Sequence, residues 1–183
     1  MIRFFDILFS LLGLVLGFPL LVLIYILALS DSRSPLFRQQ RIGRDRSPFM
    51  LVKFRTMKVD TESVATHLAS ATSVTKLGSF LRKTKLDELP QLWNVLKGDM
   101  SLVGPRPNLL NQTELIIERS ALDVYAVRPG ITGLAQLSGI DMSTPRDLAN
   151  IDAKMIKEMS LKSYFSMIFK TLGGGGTGDR IRN

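Results

Sequence analysis

The sequence predicts a mainly helical protein with one short β-hairpin, built behind an apolar N-terminal helix. Three observations lead there. Residues 7–29 form an uncharged apolar run. Residues 35–58 alternate apolar and basic side chains about a glycine-containing turn. Pro90 to Lys97 and residues 154–172 carry helical punctuation or helical spacing.

The apolar run, ILFSLLGLVLGFPLLVLIYILAL, has 23 residues, about 35 Å as a helix at 1.5 Å per residue, which is enough to cross a bilayer. It is too long for a signal-peptide core and no small-residue cleavage site follows, so it is expected to be retained. Pro19 lies near its middle, where it removes a helical hydrogen bond and predicts a bend. Gly13 and Gly17 share a side of the preceding turn and would ease a sharp bend or a close approach. A plain spanning anchor and a re-entrant hairpin broken at Pro19 both fit the apolar length. The flanks favour the hairpin, because Arg3 precedes the run and Arg33, Arg38, Arg41, Arg44 and Arg46 follow it.

Residues 35–58 read as two short extended stretches about Gly43 to Ser47, and a hairpin with a solvated basic face is the plain interpretation. Residues 60–76 read as a polar surface helix or loop. That segment contains the single histidine, His67, which is expected to have no functional part. Pro90 to Lys97 starts on proline and stops at Gly98, the punctuation of a short helix. Residues 154–172 place Ile156, Met159, Phe165, Ile168, Phe169 and Leu172 at helical spacing with four lysines between. A core-facing helix and a helix lying in a membrane interface fit equally well. The tail from Gly173 is expected to be unfolded.

At 183 residues the chain suffices for one domain with a core, or a smaller one with a membrane element. No cysteine is present, which excludes disulfides, thiolate metal sites and thiol nucleophiles, and one histidine excludes a histidine-rich metal centre. Chemistry must rest on carboxylates, cationic side chains, hydroxyls and backbone. The net charge of +8 points to an anionic partner. Aromatic residues are not interleaved with the basic ones, which argues against nucleic acid.

Two constellations could carry chemistry. In Arg82, Lys83, Lys85 and Leu86-Asp87-Glu88-Leu89-Pro90, the residue before the proline is biased away from helix, so the acidic pair falls just ahead of the helix that Pro90 starts. Two carboxylates there suit a division of labour between nucleophile and holder of a hard cation. They equally suit an acidic helix cap. In Gly98 to Pro107, Arg106 sits between Pro105 and Pro107, whose fixed φ presents its guanidinium from a stiff backbone suited to phosphate. A rigid surface turn accounts for the same residues. Arg128-Pro129-Gly130 repeats that choice.

Taken together and in order, the proline-broken apolar segment, PLFRQQRIGRDRSPFMLVKFRTM, LGSFLRKTKLDELPQLWNVLKGDMSLVGPRP and RPGITGLAQLSG resemble the monotopic phosphoglycosyl transferases, also called bacterial sugar transferases. The resemblance implies a small α/β cytoplasmic globule with a short β-hairpin, a re-entrant membrane helix over residues 1–30, interfacial amphipathic helices, a catalytic domain over 31–172 and a tail over 173–183. It implies transfer of a sugar-1-phosphate from a UDP-sugar to undecaprenyl phosphate with release of UMP, a first membrane step of glycoconjugate synthesis.

By resemblance Asp87 is the nucleophile and forms a covalent phosphosugar, and Glu88 stands beside it at Mg²⁺. Arg82, Pro105, Arg106 and Pro107 are associated with phosphate and nucleotide, and Arg128 is assigned with them. Asp152 matches a later family acid, although Met155 replaces the tyrosine usual after it. Phe18 replaces the serine usual before Pro19. The implied location is the cytoplasmic face of a bacterial inner membrane, among its lipids, with downstream glycosyltransferases as compatible partners and no nucleic acid. The larger members' extra N-terminal membrane helices are missing, so the minimal catalytic form is expected. The competing reading is a membrane-tethered basic module that binds anionic lipid or nucleic acid without catalysis.

Overall fold

The computed structural model describes residues 1–59, 61 and 73–176. The polar stretch 60–76, with His67, therefore lies largely outside the described residues. Helix α1 spans Ile2–Asp31. It contains Pro19 and continues past it, so the reversal expected there is not a helix-turn-helix hairpin. Among the described residues it is the one helix long and apolar enough to cross a membrane.

The chain then forms the expected hairpin, β1 (Leu36–Ile42) against β2 (Pro48–Phe54), antiparallel with Leu36 opposite Phe54 and Ile42 opposite Pro48. The tight turn between them places Asp45 and Arg46 at positive φ. Two helices follow. In α2 (Lys76–Thr84) the Thr75 side chain accepts from the Gly78 N–H, capping the start. A side chain at Gly78 would collide with the Thr56 carbonyl, so this glycine permits α2 to sit against the end of the hairpin. Helix α3 (Gln91–Lys97) begins after Pro90 and stops at Gly98, whose φ of 96° is left-handed, as the punctuation predicts.

The rest of the chain closes the globule. Strands β3 (Ser101–Val103) and β4 (Gly130–Thr132) pair in parallel, Ser101 with Gly130 and Val103 with Thr132. A parallel pair requires a crossover, and α4 (Thr113–Ala121) supplies its helix. Helices α5 (Leu134–Leu137), α6 (Pro145–Lys157) and α7 (Leu161–Leu172) follow. The single helix expected over 154–172 is thus two. Ser160 ends the continuity: its hydroxyl accepts from the Ser163 N–H while Ser163 accepts from the Ser160 N–H, a reciprocal cap that starts α7 afresh. Residues 173–176, expected to be unfolded, pack back: Gly175 approaches Leu137, and its carbonyl accepts from Lys85.

Helix α1 shares its packing with the globule at both ends. At its start, Arg3 donates to the Leu96 and Met100 carbonyls (3.1 and 3.4 Å), placing positive charge at the C-terminal end of α3. One turn on, the buried Asp6 accepts at one oxygen from Ser101 Oγ, the Leu102 N–H and Tyr164 OH (2.8–2.9 Å). Burial, then the hydrogen bond and charge of Asp6, hold the Tyr164 hydroxyl far above its ordinary pKa. Toward the other end, Ile24 joins Phe54 and Leu81 in a core cluster and Ala28 is buried. Arg3, which in the sequence was only a positive flank of the apolar run, is therefore committed to the protein.

Candidate active site

Between α2 and α3 the chain makes one tight turn, Leu86–Glu88. Lys85 ends α2 in the left-handed region, with φ of 58°. Leu89, although it precedes Pro90, keeps helical dihedrals (φ −53°, ψ −39°), so the bias away from helix is not realised, while the acidic pair lies just ahead of α3 as expected. Leu86 anchors the turn by packing on the Ile24, Phe54 and Leu81 cluster. The next two side chains point elsewhere: Asp87 is 2% exposed and Glu88 9%. Burying two carboxylates is costly without cations and donors around them.

Those cations come from distant parts of the chain. Arg106 Nη2 lies 3.4 Å from Glu88 Oε1. Arg106 also lines a small cleft with Arg41 and Lys53 from the hairpin and Gln91 from the first turn of α3. Strand alternation puts Arg41 and Lys53 on one face of the hairpin. The Gln39 side chain and the Pro107 carbonyl accept from Arg41 (2.5 and 3.2 Å), and Phe37 lies under Lys53 with 5.8 Å between nitrogen and ring centre. Arg82 of α2 donates Nε to Thr56 Oγ1 (2.8 Å), just beyond the end of β2. Three cations and an amide gather in this cleft, and Glu88 is joined to it through Arg106, an arrangement that attracts anions.

The loop that presents Arg106 is held from two sides. Below it, Gly104 rests on the turn before β4. The Gly104 N–H donates to the Thr132 carbonyl and the Gly130 N–H to the Pro105 carbonyl, each 2.9 Å. A Cβ on Gly130 would fall 2.0 Å from the Gly104 nitrogen, so the two sequence motifs meet at a contact that only glycine allows. Behind it, Arg119 of α4 donates Nη1 to the Arg106 carbonyl (2.8 Å) and to Asn108 Oδ1 (2.9 Å). Its Nε and Nη2 both reach Asp152 Oδ2 (3.1 and 2.7 Å). Tyr125 OH donates to the same Asn108 oxygen (3.0 Å). Burial raises the pKa of Asp152, and Arg119 opposes that rise.

Of the residues singled out from sequence, Arg106 and Pro107 line the cleft and Glu88 reaches it through Arg106, while Asp87 is buried in the same turn as Glu88, Arg82 lies on the adjoining helix and Pro105 is buried in the supporting backbone. Two others do not meet there. Arg128 donates Nε to the Gly98 carbonyl (2.8 Å) at the far end of α3, about 12 Å along that helix from Pro90. Asp152 is 1% exposed and paired with Arg119, so it supports the Arg106 loop from behind and has no surface with which to meet a ligand. Arg41, Lys53, Gln91 and Arg119 were not singled out as site residues. Alternation in the hairpin signalled the first two as a basic face only, and α4 carries no pattern that marks Arg119.

Among the described residues no cluster of three or more histidine, cysteine or acidic side chains gathers as a closed metal cage. Asp87 and Glu88 supply a donor set of another kind: Mg²⁺ is commonly held by one or two carboxylates with substrate phosphates completing its shell. The residues present fit a cation of that type.

A family model described as bacterial sugar transferase matches residues 1–175. The UDP-galactose-lipid carrier transferase of Erwinia amylovora is 36% identical, with 93% of this chain and 39% of that protein covered. The undecaprenyl-phosphate galactose phosphotransferase of Salmonella typhimurium is 34% identical over 92% of this chain and 39% of its own length. The exopolysaccharide production protein ExoY of Sinorhizobium fredii is 35% identical over 93% and 83%. The chain thus spans about two fifths of the length of the first two.

Proposed function

Because the chain belongs to the bacterial sugar transferase family, we propose that it transfers a sugar-1-phosphate from a UDP-sugar to undecaprenyl phosphate and releases UMP. The observation that carries this reading is the buried Asp87–Glu88 turn, joined through Glu88 to Arg106, which lines a cleft with Arg41 and Lys53. The names of the relatives support the substrates, since they describe sugar and lipid-carrier phosphotransferases.

The chemistry proceeds in two displacements. A carboxylate oxygen of Asp87 attacks the β-phosphorus of the UDP-sugar, the bond from that phosphorus to the bridging oxygen breaks, and UMP leaves with that oxygen. An oxygen of undecaprenyl phosphate then attacks the same phosphorus and releases the Asp87 carboxylate, leaving the sugar on a lipid diphosphate. Covalent storage lets a soluble donor and a lipid acceptor use the site in turn. Arg106 and Lys53 offset charge developing on the phosphoryl oxygens. Mg²⁺, held by Glu88 with Asp87 beside it, would neutralise the diphosphate.

The same reading sets α1 in a lipid surface. Leu11, Val15, Leu16 and Phe18 are all at least half exposed, while both ends of α1 pack on one globule. A helix so held keeps both ends on the side of the globule while its outward face meets lipid, and the arginines that follow it support the cytoplasmic side of a bacterial inner membrane as that side.

The test is to incubate the full chain in lipid nanodiscs with a panel of UDP-sugars and Mg²⁺, without acceptor. UMP release and a sugar-phosphate adduct mapping to Asp87 are expected. Asp87→Asn should abolish both, and Glu88→Gln should weaken the dependence on metal. An adduct on Glu88, or one surviving in Asp87→Asn, overturns the assignment. No UMP from any UDP-sugar, with or without acceptor, leaves the non-catalytic binding module.

A further inference from the structure

On the opposite face of the hairpin from the cationic cleft lies a groove of about 580 Å³, within the usual range of about 300–1,000 Å³ for ligand pockets. Strand alternation divides the two spaces: Arg41, Leu51 and Lys53 face the cleft, whereas Leu36, Arg38, Met50, Val52 and Phe54 face the groove. The far wall is α1, from Leu14 to Tyr25, and the floor is α3 with Trp93. Trp93 is 57% exposed and Phe18 63%, so the mouth opens on the apolar surface that α1 presents. The lining is almost wholly apolar, with Arg38 and Lys97 at its edges. Lys97 is engaged by Asp99 at 3.1 Å. Arg38 is exposed and makes no hydrogen bond or ion pair within the described structure.

An apolar trough open to lipid, with one uncompensated cation, matches an amphiphile that has a long hydrocarbon chain and an anionic head. Its position relative to the reactive turn narrows the occupant. Pro90 lines the groove, and Leu86, at the start of the same turn, packs on the cluster to which the groove residue Phe54 belongs. Two residues later, Glu88 contacts Arg106, which lines the cleft. The short segment 86–90 therefore borders the groove and reaches a wall of the cleft. We propose that this groove is the seat of the lipid acceptor: it holds the first isoprenoid units of the polyprenyl phosphate between α1 and β2, with Arg38 countering the phosphate, while the nucleotide sugar occupies the other face of the hairpin. The proposal rests on the transferase reading for the identity of the lipid.

Trp93 is the only tryptophan of the chain, and its place in the groove makes its emission a direct report of occupancy. The full chain in phosphatidylcholine nanodiscs is titrated with undecaprenyl phosphate, with undecaprenol and with phosphatidylglycerol. A saturable shift in Trp93 emission is expected with undecaprenyl phosphate, and little with the other two. Arg38→Gln should weaken the apparent affinity about tenfold, the scale of one charge-assisted contact, and Val52→Phe should weaken it by narrowing the trough. Arg38 is exposed, so its variant tests the idea even if Val52→Phe misfolds. An equal response to phosphatidylglycerol, an equal response to undecaprenol unaffected by Arg38→Gln, or no saturable shift each overturns the proposal. UMP release without acceptor does not use the groove, so active enzyme with no lipid effect refutes the groove alone. Lipid binding without UMP from any UDP-sugar refutes the transferase reading instead.

Discussion

Replacing Arg119 by methionine isolates the support behind Arg106. Arg119 is 2% exposed in its side chain, Asp152 1%, and the guanidinium donates four hydrogen bonds, two to Asp152, one to Asn108 and one to the Arg106 carbonyl. Truncation leaves a carboxylate buried without its counter-charge, a loss of about 3–5 kcal/mol. The two other acceptors add smaller penalties that do not sum independently. At about 2–4 °C per kcal/mol for a chain of this size, Tm should fall by roughly 6–20 °C, read by circular dichroism of the full chain in nanodiscs. Arg119→Met/Asp152→Leu removes the stranded charge and should recover part of that loss. A Tm drop below about 3 °C in the single variant, or a double variant no more stable than the single, would refute the buried-pair account.

Arg106→Lys keeps the charge and loses the planar fork, and turnover should fall at least about tenfold; an unchanged rate would leave Arg106 as a turn residue. Gly130→Ala drives a methyl into the Gly104 backbone and should cost several °C of Tm together with activity, whereas Gly17→Ala, which has open space at that position, should cost neither. Cysteines introduced beside Met1 and in place of Lys170 should both be shielded from an impermeant reagent in intact cells; labelling of the Met1 site alone would mean that α1 spans the membrane.

The hairpin and α3 were legible because their signals are local. Alternation about Gly43 and the proline-to-glycine punctuation of 90–98 depend on neighbours in sequence. The Asp87–Glu88 pair and Arg106 were visible as strings whose chemical meaning came from their company. What sequence hid depends on long-range pairing. Asp152 and Arg128 were assigned to the site by resemblance, and nothing in the sequence signalled that Arg119 and the Gly98 carbonyl would engage them elsewhere. Ser160 divides a run whose apolar spacing continues across the break, because a cap outweighs periodicity there. Asp6 stood just outside the apolar run and gave no hint that Ser101, Leu102 and Tyr164 would enclose it.

That enclosure changes what α1 is for an experimenter. A membrane tether can be cut away to leave a soluble domain behind, but α1 contributes Ile24 to the cluster on which the Leu86–Glu88 turn packs and Asp6 to the backbone of β3. Removing it would bare Phe54, Leu81 and Tyr164 to water and strand the Tyr164 hydroxyl, so a trimmed chain should aggregate. Solubility for this protein has to be engineered on the outward face of α1, at positions such as Val15 and Leu16, with its inward face kept intact.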